Sequence, residues 1–405
     1  MSQRIPSRTS SALALCLVTS LTACKSPAFP APPDGYREFA YVSNGAANTV
    51  SVLDLVYLRQ DRTLQVGASP SGLAASPTRN EVYVVNTQPA QSAGSISVID
   101  TATNQVAATI AVHRLPYAIS VEPTGHRAYV ANAGSNTVSV LDLDHRRPAF
   151  TAAAGEQPGL ARISPDGRSL VVTNRGSNSI SIYAAAPFDS PDPALKLRAT
   201  FAHCPGATDA VILPDSSKAF VACSAGHQVM AIALASAPNS WPAKVDPTSL
   251  TDHFLTFLNV GQTPTHLALK PDGGEIFVSN FTSDSISEIS TTANEVGGTY
   301  AIGSKPSQAV VSGDNTTLWV SNFGSENLTR YSIEDGRVMG GVRAGAAPDA
   351  LAFSADEHLL LAADAHSGDV AVIRTQGKLG PALLTMLPAG KSPNAIVVKS
   401  MQTKK

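Results

Sequence analysis

Charge is scarce in this sequence. Lys, Arg, Asp and Glu make up 15% of the 405 residues against 43% apolar ones, and 29 basic side chains nearly balance 31 acidic ones. With no basic excess and no Lys/Arg cluster, nucleic acid is excluded as a partner. Cysteine is rare too, with four in all: Cys16, Cys24, Cys204 and Cys223. No Cys-x-x-Cys-His is present for covalent haem. The nine histidines include no His-x-x-x-His pair, so no metal site is expected. Gly-x-Ser-x-Gly is missing, which removes the nucleophile elbow. Helical patterns hardly occur, and no Gly-rich phosphate loop leads into one. No catalytic residue, metal or cofactor is therefore assigned from spacing.

Turn formers are plentiful, with 29 Gly and 28 Pro. Low charge combined with frequent turns suits many short strands covered on both faces. The strands repeat. Tyr41-Val42-Ser43-Asn44 returns at Tyr83–Asn86, Tyr129–Asn132, Val171–Asn174, Phe277–Asn280 and Trp319–Asn322, with degenerate copies at Phe220–Cys223 and Leu361–Asp364. A second element follows each copy, as in Asn48-Thr49-Val50-Ser51-Val52-Leu53-Asp54. A Gly-x-x-Pro lead-in and an apolar strand precede it, as from Gly155 to Pro158 and from Gly261 to Pro264. Pro165-Asp166-Gly167 and Pro271-Asp272-Gly273 supply hairpin chemistry: a fixed φ, a side-chain cap and a positive-φ glycine. Each unit reads as four strands, A to D, and four-stranded units every 42–57 residues are the signature of a β-propeller.

The fold class expected is all-β, an eight-bladed propeller of four-stranded blades spanning 36–399, with 400–405 as a tail. The chain enters on a B strand, Phe39 to Asn44, and leaves on an unpaired A strand, Gly390 to Val398. Pairing the two closes the ring and removes exposed edges. Seven blades is the alternative, should the copy at Leu361–Asp364 or the long fifth unit not form a blade.

The N-terminus reads as a targeting segment. Arg4 and Arg8 precede the apolar run Ala12–Val18, which ends in Leu21-Thr22-Ala23-Cys24. This order describes a secretory signal, and the apolar run is too short to cross a bilayer. Leu21-Thr22-Ala23-Cys24 resembles a bacterial lipobox. That resemblance implies cleavage after residue 23, lipid attachment at Cys24, and a membrane partner through the lipid. By the same rules Lys25 implies the outer membrane in a Gram-negative source. Residues 24–35, rich in proline, form an extended tether. Loss of residues 1–23 removes two of the 29 basic residues, leaving 27 against 31 acidic ones.

The Tyr-Val-x-Asn strand, the Ser-Asn-Thr-Val-Ser-Val-Leu-Asp strand and the Pro-Asp-Gly turn resemble the YVTN-type β-propeller repeat. The resemblance covers 36–399 and implies the fold rather than an activity. Propellers of that type include surface proteins, periplasmic proteins, lactonase-like enzymes and haem-d-type nitrite reductase domains, and fold alone does not choose among them.

Strand direction places the A lead-ins and the B–C turns on one face, at the mouth of the channel. The asparagines ending strand B are expected to bond their own turn backbone. Positions that differ between blades carry more information. Two residues past the Gly-x-x-Pro proline stand Gly72, Ala118, Leu160, Asp209, His266, Gln308, Ala350 and Ala395. Asp209, His266 and Gln308 come from consecutive blades and make a candidate binding patch. Tyr117, Arg162, Asp349 and Asn394 are expected to face the same opening.

Cys204 takes the place of a repeat Gly and Cys223 that of a repeat Asn, at the same end of adjacent strands. In an exported protein they are expected to form a disulfide. The same unit carries the largest insertion, about residues 235–255, with Trp241, Pro242 and Phe254. It joins Pro187–Pro193 on the opposite face as a candidate partner contact. Function is expected to be a lipid-anchored binding scaffold. The alternatives are a lactonase-like hydrolase with a channel-mouth site, and a haem or redox-cofactor binder with His266 as an axial ligand.

Overall fold

The structure is a computed structural model and describes residues 33–187, 190, 192–235, 250–377 and 380–402. Cys24, the leader and the tether up to Pro32 lie outside the described residues, as do Trp241 and Pro242. From Tyr36 onward the described chain folds into eight four-stranded antiparallel sheets. Beyond strands and turns it has a 3-10 turn at Ser224–Gly226. No described helix is long and apolar enough to cross a membrane.

The architecture is the eight-bladed propeller. The long fifth unit completes a blade from Ala207–Ile212, Lys218–Cys223, Gln228–Ala233 and His253–Asn259, and the unit containing Leu359–Asp364 completes another. The seven-blade alternative is excluded. Phe254 belongs to the outer strand of blade five rather than to an excursion, and its ring lies 4.9 Å from that of Phe257.

Eight inner strands line the channel: Pro393–Gln402 in blade one, then Pro70–Ala75, Pro116–Val121, Pro158–Ile163, Ala207–Ile212, Pro264–Leu269, Pro306–Val311 and Pro348–Phe353 in blades two to eight. Each lies beside the inner strands of its two neighbours, and Pro393–Gln402 joins Pro348–Phe353 to Pro70–Ala75. Blade one is therefore built from both ends of the chain. Its entering strand, Tyr36–Asn44, starts earlier than Phe39, and its closing strand runs past residue 399, so that Tyr36 pairs with Gln402 and Asn44 with Pro393.

Strands B and C are buried on both faces, which is why both faces of their sequence are apolar. In blade one Ala40 and Val42 pack with Leu361 and Ala363 of blade eight, while Phe39 and Tyr41 pack with Val82 and Val84 of blade two. Each of the larger side chains among these, Val, Leu or Phe, contributes about 1.5–3 kcal/mol by leaving water. The outer strands alternate instead, as in Glu295–Ala301.

The repeat asparagines do not bond their own turn backbone as their main partner. Each is fully buried and donates Nδ2 to at least one hydroxyl of strand C: Asn44 to Thr49 and Ser51, both at 3.0 Å, Asn174 to Ser179 and Ser181 at 3.3 and 3.0 Å, Asn280 to Ser285 and Ser287 at 3.2 and 3.0 Å, and Asn322 to Thr329 at 2.7 Å. The serines between large residues in strand C are thus hydrogen-bond acceptors as well as small. The Gly of Gly-x-x-Pro packs on the same asparagine. A Cβ on Gly155 would lie 2.6 Å from Asn174 Cγ, and one on Gly261 2.6 Å from Asn280 Cγ. In blade five that close approach is occupied by Cys204 and Cys223, which are disulfide-bonded with their Cα atoms 4.8 Å apart, as the exchange of both consensus residues predicts.

Candidate functional site

The third residue of each inner strand sits at a register irregularity just inside the mouth, as between Pro264 and His266 or Pro306 and Gln308. The bulge re-aims this position, and in three consecutive blades the side chain reaches the next blade's inner strand. Asp209 Oδ2 accepts the Leu267 amide at 2.9 Å. His266 Nε2 faces the Ala309 carbonyl oxygen at 3.1 Å. Gln308 Oε1 accepts the Leu351 amide at 2.5 Å. The second residue repeats the device with hydroxyls and an amide: Ser71 Oγ donates to Tyr117 O at 3.1 Å, and Asn394 Nδ2 to Pro70 O at 2.9 Å. These side chains staple blade to blade around the channel.

Asp209 and His266 are also paired directly, Oδ2 to Nδ1 at 3.0 Å. Both ring nitrogens of His266 therefore face oxygen acceptors, and the two bonds form together only when the ring carries two protons. Burial pushes the Asp209 carboxyl up, but the His266 hydrogen bond and charge, Arg162 and the Leu267 amide outweigh it and hold the carboxyl below the ordinary range. His266 is consequently a strut, each of its ring nitrogens already facing an oxygen of the protein.

Around this strut the channel widens into two chambers. The upper, about 330 Å³, is lined by Thr265, His266, Ser307, Gln308, Asp349 and Asn394, with Gly72, Leu73, Ala350, Ala395 and Ile396. The lower, about 430 Å³, is lined by Arg162 and His266 with Val211, Ile212, Leu267, Ala268, Leu269, Ala309, Val310, Val311 and Phe353. The structure thus brings His266, Gln308, Asp349 and Asn394 to one space. Asp209 sits behind His266, its side chain 13% exposed. Arg162 faces the lower chamber, two residues deeper on its strand than the Asp209 position. Tyr117 stands on the rim, 47% exposed, beneath the Arg175 guanidinium at 4.5 Å.

Asp349 differs from the other acids of the channel. Burial pushes its carboxyl above the ordinary range, and the Ser307 hydroxyl and the field of His266 only partly offset this. It is the one carboxyl lining the upper chamber among the described residues, and no Lys or Arg lines that chamber.

Above the same blades lies an aromatic arc that the sequence reading missed. Phe281 and Phe323 have ring centroids 6.1 Å apart, and Phe323 and His366 5.3 Å. The Phe281, Phe323 and His366 amides donate to Thr263, Lys305 and Ala346 O at 3.0, 3.0 and 3.1 Å, next to the starts of the inner strands of blades six to eight. A signal was available: the first two residues after the end of strand B vary between blades, giving Phe281, Phe323 and His366, just as the third inner-strand position does.

On the opposite face a polar hollow of about 510 Å³ is lined by His126, Arg127, Asp142, Asp144, His145 and Arg147, with Ser190 and Pro193. Arg127 donates to Ala186, Pro187 and Ser190 O at 3.0, 3.0 and 2.9 Å, so it holds the start of the Pro187–Pro193 loop. Among the described residues no group of three or more His, Cys, Asp or Glu is arranged to hold a metal ion.

A family model described as "Lactonase, 7-bladed beta-propeller" matches residues 287–398, the stretch from blade six through the closing strand. No curated protein matches the sequence. Among solved structures, a dihydro-heme d1 dehydrogenase, NirN, in complex with its ligand DHE is similar at TM-score 0.69 and 13% identity, covering 92% of this chain and 76% of that one. A putative 6-phosphogluconolactonase from Bacteroides uniformis is similar at TM-score 0.59 and 16% identity, with 90% and 100% covered. A protein from Lactobacillus plantarum gives 0.59 and 15%, with 90% and 99% covered. At these identities the likeness is one of fold.

Proposed function

We propose that the protein is an exported propeller, lipid-anchored at Cys24 and built on a YVTN-type repeat, that binds a small hydroxyl-rich molecule in the upper chamber. One observation carries this reading: a carboxyl, two side-chain amides and two hydroxyls converge on a space of about 330 Å³. Such a set both donates and accepts, as a polyol or sugar derivative requires. The chamber lining has no Lys or Arg, which favours an uncharged ligand over a phosphorylated one. The Phe281–Phe323–His366 arc supplies flat apolar surface at the entrance.

A second reading, hydrolysis of a sugar lactone, draws on Asp349 and on the partial lactonase-type match. The Asp349 carboxylate would take a proton from water as the water oxygen attacks the lactone carbonyl. The ring C–O bond then breaks, and the proton passes to the leaving ring oxygen to give the hydroxy acid. Because the carboxyl is raised, the rate should climb with pH through a value above the usual carboxylate range. For a tetrapyrrole with His266 as axial ligand, the ring would first have to give up its contact with Asp209 or with the Ala309 carbonyl.

Calorimetric titration with D-glucono-1,5-lactone and D-glucose tests the site. Saturable binding that falls at least about tenfold in Asp349→Asn and Gln308→Ala supports it, and absence of binding by the wild-type protein to either sugar overturns it. Lactone hydrolysis lost in Asp349→Asn with binding retained marks the second reading. Membrane fractionation of Cys24→Ala tests the anchor, and an unchanged membrane share would exclude it.

A further inference from the structure

The lower chamber has a chemistry of its own. Its walls are Val211, Ile212, Leu269, Val310, Val311 and Phe353, and its one fixed charge is Arg162. Polyols fit it badly, because their hydroxyls would lose water without gaining partners.

Arg162 is only partly satisfied. Its Nε donates to Ala210 O at 3.2 Å, and its Nη2 stands 3.7 Å from Asp209 Oδ1, beyond hydrogen-bond reach, while the side chain is 43% exposed. Asp209 is committed elsewhere, to His266 at 3.0 Å and to the Leu267 and Ala210 amides at 2.9 and 2.8 Å. The Arg162 guanidinium therefore keeps N–H donors for a ligand, and no acid lines the chamber to compete for them. Guanidinium recognises carboxylate through paired N–H donors.

We propose that the lower chamber binds a medium-chain alkyl carboxylate, its head on the Arg162 guanidinium and its chain against the valines, Leu269 and Phe353. This site is independent of the upper chamber and of any hydrolysis there. The charge selects an anion, and the walls select an apolar body. Pairing with Arg162 compensates the carboxylate for the water it gives up.

Calorimetric titration of the purified protein with octanoate, octanol and octylamine tests the assignment. The expected result is saturable octanoate binding at least about tenfold tighter than that of octanol or octylamine. Arg162→Gln should weaken octanoate about tenfold or more, and Val310→Phe, which fills the chamber, should abolish binding while the thermal midpoint is kept. If the first variant does not fold, the second and the octanol comparison still decide. Absence of octanoate binding, equal affinity for octanol, or binding unaffected by Val310→Phe overturns the proposal.

Discussion

Asp364 stands in blade eight where six other blades have Asn at the end of strand B. The site is fully buried, and burial followed by the neighbouring Asp369 pushes its carboxyl up to about 8. Its Oδ2 accepts the Ala371 amide at 3.2 Å, where Asn-bearing blades place a hydroxyl. The folded state therefore holds the Asp364 proton more tightly than the unfolded chain, whose carboxyl titrates near ~3.9. Its stabilising contribution is full below that value and is lost as pH rises toward 8. Asp364→Asn should remove this slope. Urea unfolding at pH 8.5 should show the variant more stable than wild type by roughly 1–3 kcal/mol, with a smaller gap at pH 4.5. In the opposite sense, Asn280→Ala removes the buried Nδ2 donor that joins the Ser285 and Ser287 hydroxyls and leaves a void beside them. Chemical denaturation should register a loss of about 1–3 kcal/mol.

At the scale of the element, one substitution pair converts a packing contact into a bond. In five other blades the lead-in Gly lies against the strand-B Asn, and blade five holds Cys204 and Cys223 there, 19 residues apart. Closing a loop of that length stabilises by about 3 kcal/mol in the chain-entropy picture. Cys204→Ser with Cys223→Ser should lose roughly that amount. Cys204→Gly with Cys223→Asn should recover part of it by restoring the repeat pair, though Met230 stands where the Asn-bearing blades carry a Ser or Thr acceptor. Comparing the thermal midpoints of the two double variants checks the order. A thiol count on denatured, unreduced protein should find neither cysteine free. The inner strands add a second element-scale device, side chains that bond the next blade. Periodicity cannot show these bonds, because partners such as Asp209 and Leu267 are 58 residues apart.

For the whole molecule, closure of the ring is the governing constraint. Pro393–Gln402 pairs with Tyr36–Asn44 and abuts the inner strands on either side. Deleting residues 393–402 should leave an open strand edge in blade one and an unfilled gap in the channel wall. We expect a lower thermal midpoint and concentration-dependent association, read by size-exclusion chromatography with light scattering. A deletion mutant that remains monomeric with an unchanged midpoint would contradict the closure.

Fold class, blade count and ring closure were legible in the residue order, because each blade is built from one local pattern and the chain ends carry complementary halves of it. The disulfide was legible for the same reason: two departures from a known pattern fell at facing ends of adjacent strands. The channel was not. Which of Asp209, His266, Gln308 and Arg162 face a cavity, which serve as staples, and that Arg162 looks into a different chamber from Asp349 depend on bulges and on contacts between blades. Such contacts join residues about forty to sixty positions apart, and their geometry is set by the closed ring rather than by any short stretch of chain.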